Sequence, residues 1–168
     1  VAIRGTGSTQ NVATSTDGAT WTKANLPGAT SGWTDITFGN GKFVAVRTSA
    51  SDQLFAYSTD GITWSVVTPT ALAPAAAGNW KKVAYGAGKF VAVGSGTSAN
   101  VAYSTDGINW STALIPGGLL WNGVTYGADR FVAVSFDAAA NGANNIAYST
   151  DGVTWTRTGL TGDSTARF

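Results

Sequence analysis

The strongest constraint on this chain is a seven-residue motif that occurs four times at nearly equal spacing. It reads STDGATW, STDGITW, STDGINW and STDGVTW, at residues 15–21, 58–64, 104–110 and 149–155. The first serines lie 43, 46 and 45 residues apart. A period of this length indicates a repeat architecture, in which each unit buries its apolar face only against its neighbours. The 168 residues therefore read as one repeated unit of about 45 residues.

A second block recurs between these motifs and predicts two strands. It reads WTDITFGNGKFVAV, WKKVAYGAGKFVAV and WNGVTYGADRFVAV, at residues 33–46, 80–93 and 121–134. The first half alternates large apolar with smaller or polar residues, which is typical of a strand with one buried face. The central tetrapeptide, rich in Gly and Asp, predicts a tight turn. The apolar run FVAV then predicts a strand that is covered on both faces.

The remaining part of each unit predicts a second strand pair. FAYS, VAYS and IAYS precede the last three Thr-Asp-Gly turns, and VATS is the weaker first copy. The strand after each turn carries a Trp. Four antiparallel strands in about 45 residues are typical of a β-propeller blade. We therefore expect an all-β propeller of about four such blades, with an incomplete first or last blade. The main alternative is a β-solenoid, whose rungs are usually shorter and parallel.

The repeats divide the chain at residues 1–32, 33–79, 80–120 and 121–156, with a tail at 157–168. With the blade strands named A to D from the centre outward, the first repeat lacks strand A. We expect either a fragment of a longer array or a chain that completes its sheet with a neighbour. A closed four-bladed ring remains the third alternative. If the chain is a fragment or completes its sheet with a neighbour, the open inner edge of the first blade is expected to pair with another chain or with residues beyond 168. The reason is that an exposed apolar edge is a template for pairing.

Composition excludes several functions. Charged residues make up only 11% of the chain and the formal net charge is +1, which argues against nucleic acid as a partner. No apolar run is long enough to span a membrane. The chain has no Cys, Met or His, and all nine acidic residues are Asp. Disulfides, thiolate metal sites and the commonest general bases are therefore missing. We expect no cofactor, no metal and no catalytic residues.

The four STDG motifs resemble the Asp box, a motif of approximate form Ser-x-Asp-x-Gly-x-Thr-Trp in the outer hairpin of propeller blades. The motif here is one residue shorter between Asp and Trp. Proteins similar in this way include sialidases, photosystem assembly factors and many secreted or phage-encoded propellers. The amino-acid sequence of the repeats is most similar to those of phage tail, virion and bacterial surface propellers. The resemblance covers essentially the whole chain; it implies the propeller fold and says little about activity.

Two residue series recur once per blade. The motif carboxylates are expected to stabilise turns rather than to form a calcium or catalytic set, because one per blade cannot converge on one ion. The motif indoles are expected to be core side chains rather than a surface that stacks on sugars. The turn series is Asp17, Asp60, Asp106 and Asp151, and the core series is Trp21, Trp64, Trp110 and Trp155.

The connections between strands B and C and between blades differ in length and composition. Loops on a rigid scaffold are where binding usually resides, although length drift is also tolerated there. Four side chains in these connections have no counterpart in the other copies and carry charge or an aromatic ring. We expect them to be the first candidates for binding a ligand or partner: Arg47, Asp52, Phe136 and Asp137.

The function expected from the sequence is a non-enzymatic structural or adhesive module of a virion appendage or secreted surface protein. Its partners would be neighbouring subunits, other virion or surface proteins, or a host-surface glycan, and its location extracellular or in the virion. A sialidase-like glycosidase is the first alternative, but the Glu that assists the Tyr nucleophile of such enzymes is missing. A propeller assembly factor that holds a protein partner is the second.

Overall fold

The computed structural model describes residues 1–3, 11–27, 32–48, 54–67, 79–95, 100–117, 120–135 and 146–158. These residues form strands, isolated bridges, turns and bends, with no helix among them. In the same ranges there is consequently no helix that could cross a membrane. The all-β expectation is confirmed, and the strands are grouped into antiparallel sheets as expected for propeller blades.

The four sheets follow one another along the chain, and we call them blades 1 to 4. Among the described residues blade 1 has three strands, and blades 2 to 4 have four each. Blade 1 contains β1 (Ala2–Ile3), β2 (Val12–Thr14) and β3 (Thr22–Ala24); blade 2 contains β4 (Trp33–Gly39), β5 (Lys42–Arg47), β6 (Phe55–Ser58) and β7 (Ser65–Val67). Blade 3 contains β8 (Trp80–Gly86), β9 (Lys89–Gly94), β10 (Val101–Ser104) and β11 (Ser111–Ala113); blade 4 contains β12 (Trp121–Gly127), β13 (Arg130–Ser135), β14 (Ile146–Ser149) and β15 (Thr156–Thr158).

Each complete blade is a meander in which the first two strands are joined by a two-residue turn. In blade 2 this turn is formed by Asn40 and Gly41, both at positive φ (46° and 70°). That conformation is the one in which a tight hairpin matches the twist of its strands. Ala87 and Ala128 adopt it as well, at φ 47° and 48°, although Ala has no special tolerance for it. The turn geometry is therefore imposed by the strand pairing as well as by local preference.

The blades pack face to face in chain order, with three apolar cores between them. β1 lies against β4, β4 against β8, and β8 against β12. Each core combines one face of a blade with the opposite face of the next blade, so the FVAV strands contribute alternate residues to two cores. This explains the continuous apolar run in the sequence. The part of the chain that the structure describes shows no extensive contact between β12 and β1.

Hydrogen bonds also join neighbouring inner strands. The Asp35 carboxylate accepts a bond from the backbone N–H of Val83 at 2.9 Å, and the Lys82 ammonium lies 3.3 Å from the same group. The Thr34 hydroxyl donates to the Trp80 carbonyl at 2.8 Å. Blades 2 and 3 are thus held in a defined register by polar contacts as well as by their apolar core.

Candidate functional site

The Ser-Thr-Asp-Gly motif forms the same turn in all four blades. In blade 2 the Ser58 hydroxyl donates to the Asp60 carboxylate at 2.8 Å and accepts from the backbone N–H of Gly61 at 2.8 Å. The same carboxylate accepts from the backbone N–H groups of Ile62 and Thr63 at 2.8 and 2.7 Å. Gly61 has φ 75°, a conformation that glycine adopts without a steric cost. The Asp therefore closes the turn by satisfying backbone donors.

These hydrogen bonds stabilise the ionised carboxylate. The backbone N–H groups of Thr63 and Ile62 and the Ser58 hydroxyl lower the pKa of Asp60 to about 2. For Asp151, burial raises the pKa, but the bonds from Thr154, Val153 and Ser149 outweigh it and lower the pKa to about 2.

The other two turn carboxylates behave in the same way. The N–H groups of Thr20 and Ala19 hold the pKa of Asp17 well below its ordinary value. At Asp106 burial opposes ionisation, but the backbone and side-chain amides of Asn109 and the N–H of Ile108 hold its pKa well below the usual range. An acid catalyst needs a raised pKa, so all four groups are poorly suited to that role.

The described ranges contain no group of three or more His, Cys, Asp or Glu side chains that could hold a metal ion. The Oδ1 atom of each motif Asp already accepts two backbone bonds and a serine hydroxyl. In blade 3 the second oxygen of Asp106 accepts from the Asn109 amide at 2.7 Å. The arrangement is that of a repeated structural turn.

Three of the four motif indoles lie in the cores between blades. Trp64, Trp110 and Trp155 are only 4–8% exposed, and each donates its indole N–H to the carbonyl of the motif glycine. Each packs against the preceding blade. Trp110, for example, stacks on Phe55 with 4.1 Å between ring centroids.

Trp21 departs from the expected core position. Its indole N–H makes the same bond to the Gly18 carbonyl at 3.1 Å, yet its side chain is 48% exposed. The physical reason is that a motif Trp is covered by the blade before its own, and no described residues form a blade before blade 1. The local turn is preserved while the burial is lost.

Arg47 is not an exposed loop residue, contrary to the expectation. It is the last residue of β5, opposite Trp33, and its side chain is fully buried with the guanidinium 5.4 Å from the Trp33 ring centroid. The strand position after FVAV is buried in all three complete blades, since Gly94 and Ser135 end β9 and β13 in the same way. Arg47 is therefore unavailable to a partner in this conformation. The other three candidates, Asp52, Phe136 and Asp137, lie outside the described residues.

Among the described residues, a groove lies between blades 1 and 2. It arises at Thr14, because β6, β10 and β14 carry a tyrosine at the equivalent register position, whereas β2 carries threonine. Tyr57 and Tyr103 pack against the cores that follow their blades. The smaller threonine leaves a groove of about 420 Å³, which is within the size range of ligand pockets.

The groove combines an apolar floor with polar walls. Phe43 and Ile62 line it from blade 2, and Thr14, Thr20 and Lys23 line it from blade 1. Ile62 is more exposed than its equivalents, because Thr14 has no ring to cover it. Its side chain is 61% exposed, whereas Ile108 and Val153 at the equivalent positions are partly buried. The groove lies beside two Asp-box turns, since Ser15 and Asp60 also line it.

The sequence contains the signal for this groove. The VATS copy departs from FAYS, VAYS and IAYS at one aromatic position, a difference that by itself predicts only a weaker strand. The sequence alone does not show that the tyrosine of the other three copies lies between two blades. Because of that position, its replacement by the smaller Thr14 leaves a groove.

Neither a family model nor a curated protein sequence matches this chain. Solved structures do match it. YCF48 from Cyanidioschyzon merolae superposes with a TM-score of 0.61 at 24% identity, over 83% of this chain and 43% of that protein. A structure of YCF48 bound to D1 peptide gives 0.57 at 19% identity, over 86% and 44% of the two chains. The computationally designed protein Ika8 gives 0.52 at 12% identity, over 85% and 43%.

These identities establish the fold and nothing finer. The resemblance to photosystem assembly factors is supported at the level of the propeller architecture. The more specific resemblance to phage tail and surface propellers has no counterpart among these structures. The chain spans less than half the length of each of the three proteins. The chain is thus built as propeller blades.

Proposed function

We propose that the chain is a non-enzymatic β-propeller module whose groove between blades 1 and 2 binds a protein partner. The observation that carries this proposal is the replacement of a repeated tyrosine by Thr14. In the next two blade pairs the equivalent space holds the chain's own tyrosine ring. A partner that inserts an aromatic side chain between Ile62 and the β2–β3 hairpin would restore the packing that the repeat uses elsewhere.

The chemistry of the groove supports a protein side chain as the ligand. Phe43 and Ile62 offer apolar surface to a ring, and the hydroxyls of Thr20 and Thr22 offer polar groups to its hydroxyl or to a peptide backbone. An aromatic anchor in a pocket with a polar rim is the usual composition of a binding hot spot. One of the fold neighbours, YCF48, has been solved bound to D1 peptide, so peptide binding is compatible with this architecture.

The proposal for the whole protein is a structural or adhesive module of a virion appendage or a secreted surface protein, located outside the cell or in the virion. This proposal for the whole protein rests on the resemblance of the repeat sequences, on the low proportion of charged residues and on the absence of His, Cys and Glu from the sequence. The absence of enzymatic activity belongs to the same proposal. The four motif carboxylates support it, because their hydrogen bonds are made within the turns.

The test uses N-acetyl-L-tyrosinamide as the probe and the amide resonances of the chain as the readout. Millimolar probe is expected to shift the resonances of Ile62, Thr14 and Lys23 in a saturable manner. In Thr14→Tyr the introduced ring fills the groove, so these shifts should fall at least tenfold. Thr112→Tyr, on an exposed position of β11, is the matched control and should respond as the original protein does.

Three results would count against the groove. The probe could shift residues elsewhere, it could bind Thr14→Tyr equally well, or no shift could saturate. A parallel titration with N-acetyllactosamine distinguishes the ligand class. Saturable shifts with the sugar and none with the tyrosine amide would replace the protein partner by a glycan.

A further inference from the structure

Blade 4 exposes an apolar face that is buried in the other blades. We call the residues that point toward the next blade the following face; in blade 4 its members are Val132, Val134, Ile146 and Tyr148. The equivalents of Val132 and Val134 in blades 2 and 3 are completely buried, whereas in blade 4 both are partly exposed. Tyr148 is 36% exposed.

The inner strand of blade 4 is open in the same way. A side chain at Gly39 would overlap the ring of Tyr85 from the next blade, and one at Gly86 would overlap Tyr126. At Gly127 nothing lies within 4 Å of that position. Blade 4 therefore presents the surface that blades 2 and 3 use to receive a neighbour.

Blade 1 exposes the opposite face. We call the residues that point toward the blade before the preceding face; in blade 1 its members are Ala2, Ala13 and Trp21. The three alanines equivalent to Ala2 and the three equivalent to Ala13 are fully buried in blades 2 to 4, but Ala2 is exposed and Ala13 is partly exposed. Trp21 shows the same contrast with the buried motif indoles.

These two faces are the two halves of an interface that the chain already forms. The core between blades 2 and 3 joins Val44, Val46 and Phe55 of one following face to Ala92, Ala102 and Trp110 of the next preceding face, and the core between blades 3 and 4 repeats this with the equivalent residues. Within the part of the chain that the structure describes, one copy of each half thus has no partner. They lie at opposite ends of the row of blades, since the structure shows no extensive contact between β12 and β1 within its described ranges.

We propose that the following face of blade 4 in one copy of the chain binds the preceding face of blade 1 in a second copy, head to tail. Trp21 then lies against Val132, Val134 and Ile146 as Trp110 lies against its core. The second copy is the occupant with the required shape, because its blade 1 has the same motif turn and indole as the blades that fill this interface within the chain. This proposal is independent of the groove and of its ligand.

A head-to-tail interface joins two different patches, which permits a decisive mixing experiment. Sedimentation velocity of the full chain is expected to show concentration-dependent association, with a first species of twice 17.1 kDa. Trp21→Asp damages one patch and Tyr148→Asp damages the other, so each variant alone should associate at least tenfold more weakly. An equimolar mixture retains one undamaged pair of patches and should recover a heterodimer.

Leu114→Asp is the matched control, because Leu114 is similarly exposed (42%) and lies on neither face. It should associate as the original chain does. Circular dichroism and melting curves verify that each variant is folded. If Trp21→Asp fails to fold, acrylamide quenching of the original chain against Trp21→Phe gives a second readout. The contribution of Trp21 should become protected as the protein concentration rises.

Several outcomes overturn the proposal. These are a monomer at every concentration, single variants that associate normally, a mixture that recovers no heterodimer, and protection of Trp21 that is independent of concentration. The last result would mean that the chain covers Trp21 itself. Loss of association in Thr14→Tyr alone would instead assign the contact to the groove, so failure of this proposal and of the proposed function can be told apart.

Discussion

At the scale of single residues, the same indole has different surroundings in different blades. All four motif tryptophans donate to the carbonyl of their motif glycine, so the local geometry is common to them. Only the burial differs, from 4% at Trp110 to 48% at Trp21. The contribution of each to stability therefore depends on the neighbouring blade.

Replacement of Trp110 by Ala is expected to lower the free energy of unfolding by about 3–5 kcal/mol, because it removes a buried aromatic ring and leaves a cavity against Phe55. Trp21→Ala makes the same chemical change at an exposed site and should cost less than about 1 kcal/mol. Urea unfolding at a protein concentration too low for association measures both. Equal losses would mean that Trp21 is buried in solution.

The motif carboxylates link stability to acid pH. Because the pKa values of Asp60 and Asp151 are lowered in the folded chain, from 3.8 to about 2, the unfolded chain binds protons first as the pH falls. Their contribution is fully present above about pH 5 and is lost progressively between about pH 4 and pH 2. Thermal melting at fixed ionic strength should show a nearly constant midpoint from pH 7 to 5 and a decline below pH 4.

Asp106→Ala provides the matching variant for that pH dependence. It removes the acceptor for two backbone N–H groups in the partly buried turn after β10, a loss of about 1 kcal/mol at neutral pH. Its melting midpoint should also depend less on pH between 4 and 2 than that of the original chain. An unchanged pH dependence would show that other groups cause the acid unfolding.

At the scale of strands and turns, the close approach of neighbouring blades depends on a glycine that ends each inner strand. Gly39 and Gly86 lie beneath the tyrosine of the next inner strand, whereas Gly127 has nothing above it. The repeat keeps the glycine in blade 4, where no neighbour within the described residues requires it.

Gly86→Ala should destabilise the chain by about 1–3 kcal/mol, because its Cβ overlaps the Tyr126 ring and the two blades must move apart. Gly127→Ala introduces the same methyl group into open space and should change stability by no more than about 0.5 kcal/mol. The two unfolding curves, measured under conditions where the chain is monomeric, decide the point. A large loss at Gly127 would place a covering group there.

At the scale of the whole molecule, the described residues form a row of blades whose extensive contacts are those between chain neighbours. Stability in such an architecture is a sum of unit and nearest-neighbour terms, so the end units are the least protected. Blade 2 and blade 3 each have two neighbours. Blade 1 has one neighbour and three strands among the described residues.

Hydrogen exchange should follow this order. The amides of β10 are expected to exchange at least tenfold more slowly than those of β2, although the two strands occupy equivalent positions, because opening β2 disrupts only one core. Exchange measured by mass spectrometry on the monomer tests this. Uniform protection across the four blades would indicate a closed and fully cooperative ring.

Much of the fold follows from local patterns that the sequence alone determined. The 45-residue period, the turn residues and the alternation within strands depend on interactions over a few positions, and they were sufficient to predict antiparallel four-stranded blades and the role of the motif Asp in its turn. The chemistry of the Asp-box carboxylates is equally local, since the groups that lower their pKa lie within three residues.

Only the tertiary structure decided which side chains are covered. Arg47 is buried because it ends β5 beside Trp33, at a position that is buried in all three complete blades, and Trp21 is exposed because burial of a motif Trp is provided by a different blade. Thr14 became a candidate site only once its position between two blades was known. Turn geometry depends on adjacent residues, so the repeat pattern of the sequence is sufficient to predict it. Burial and grooves depend on contacts between residues that are far apart in the chain, and the repeat pattern contains no information about those contacts.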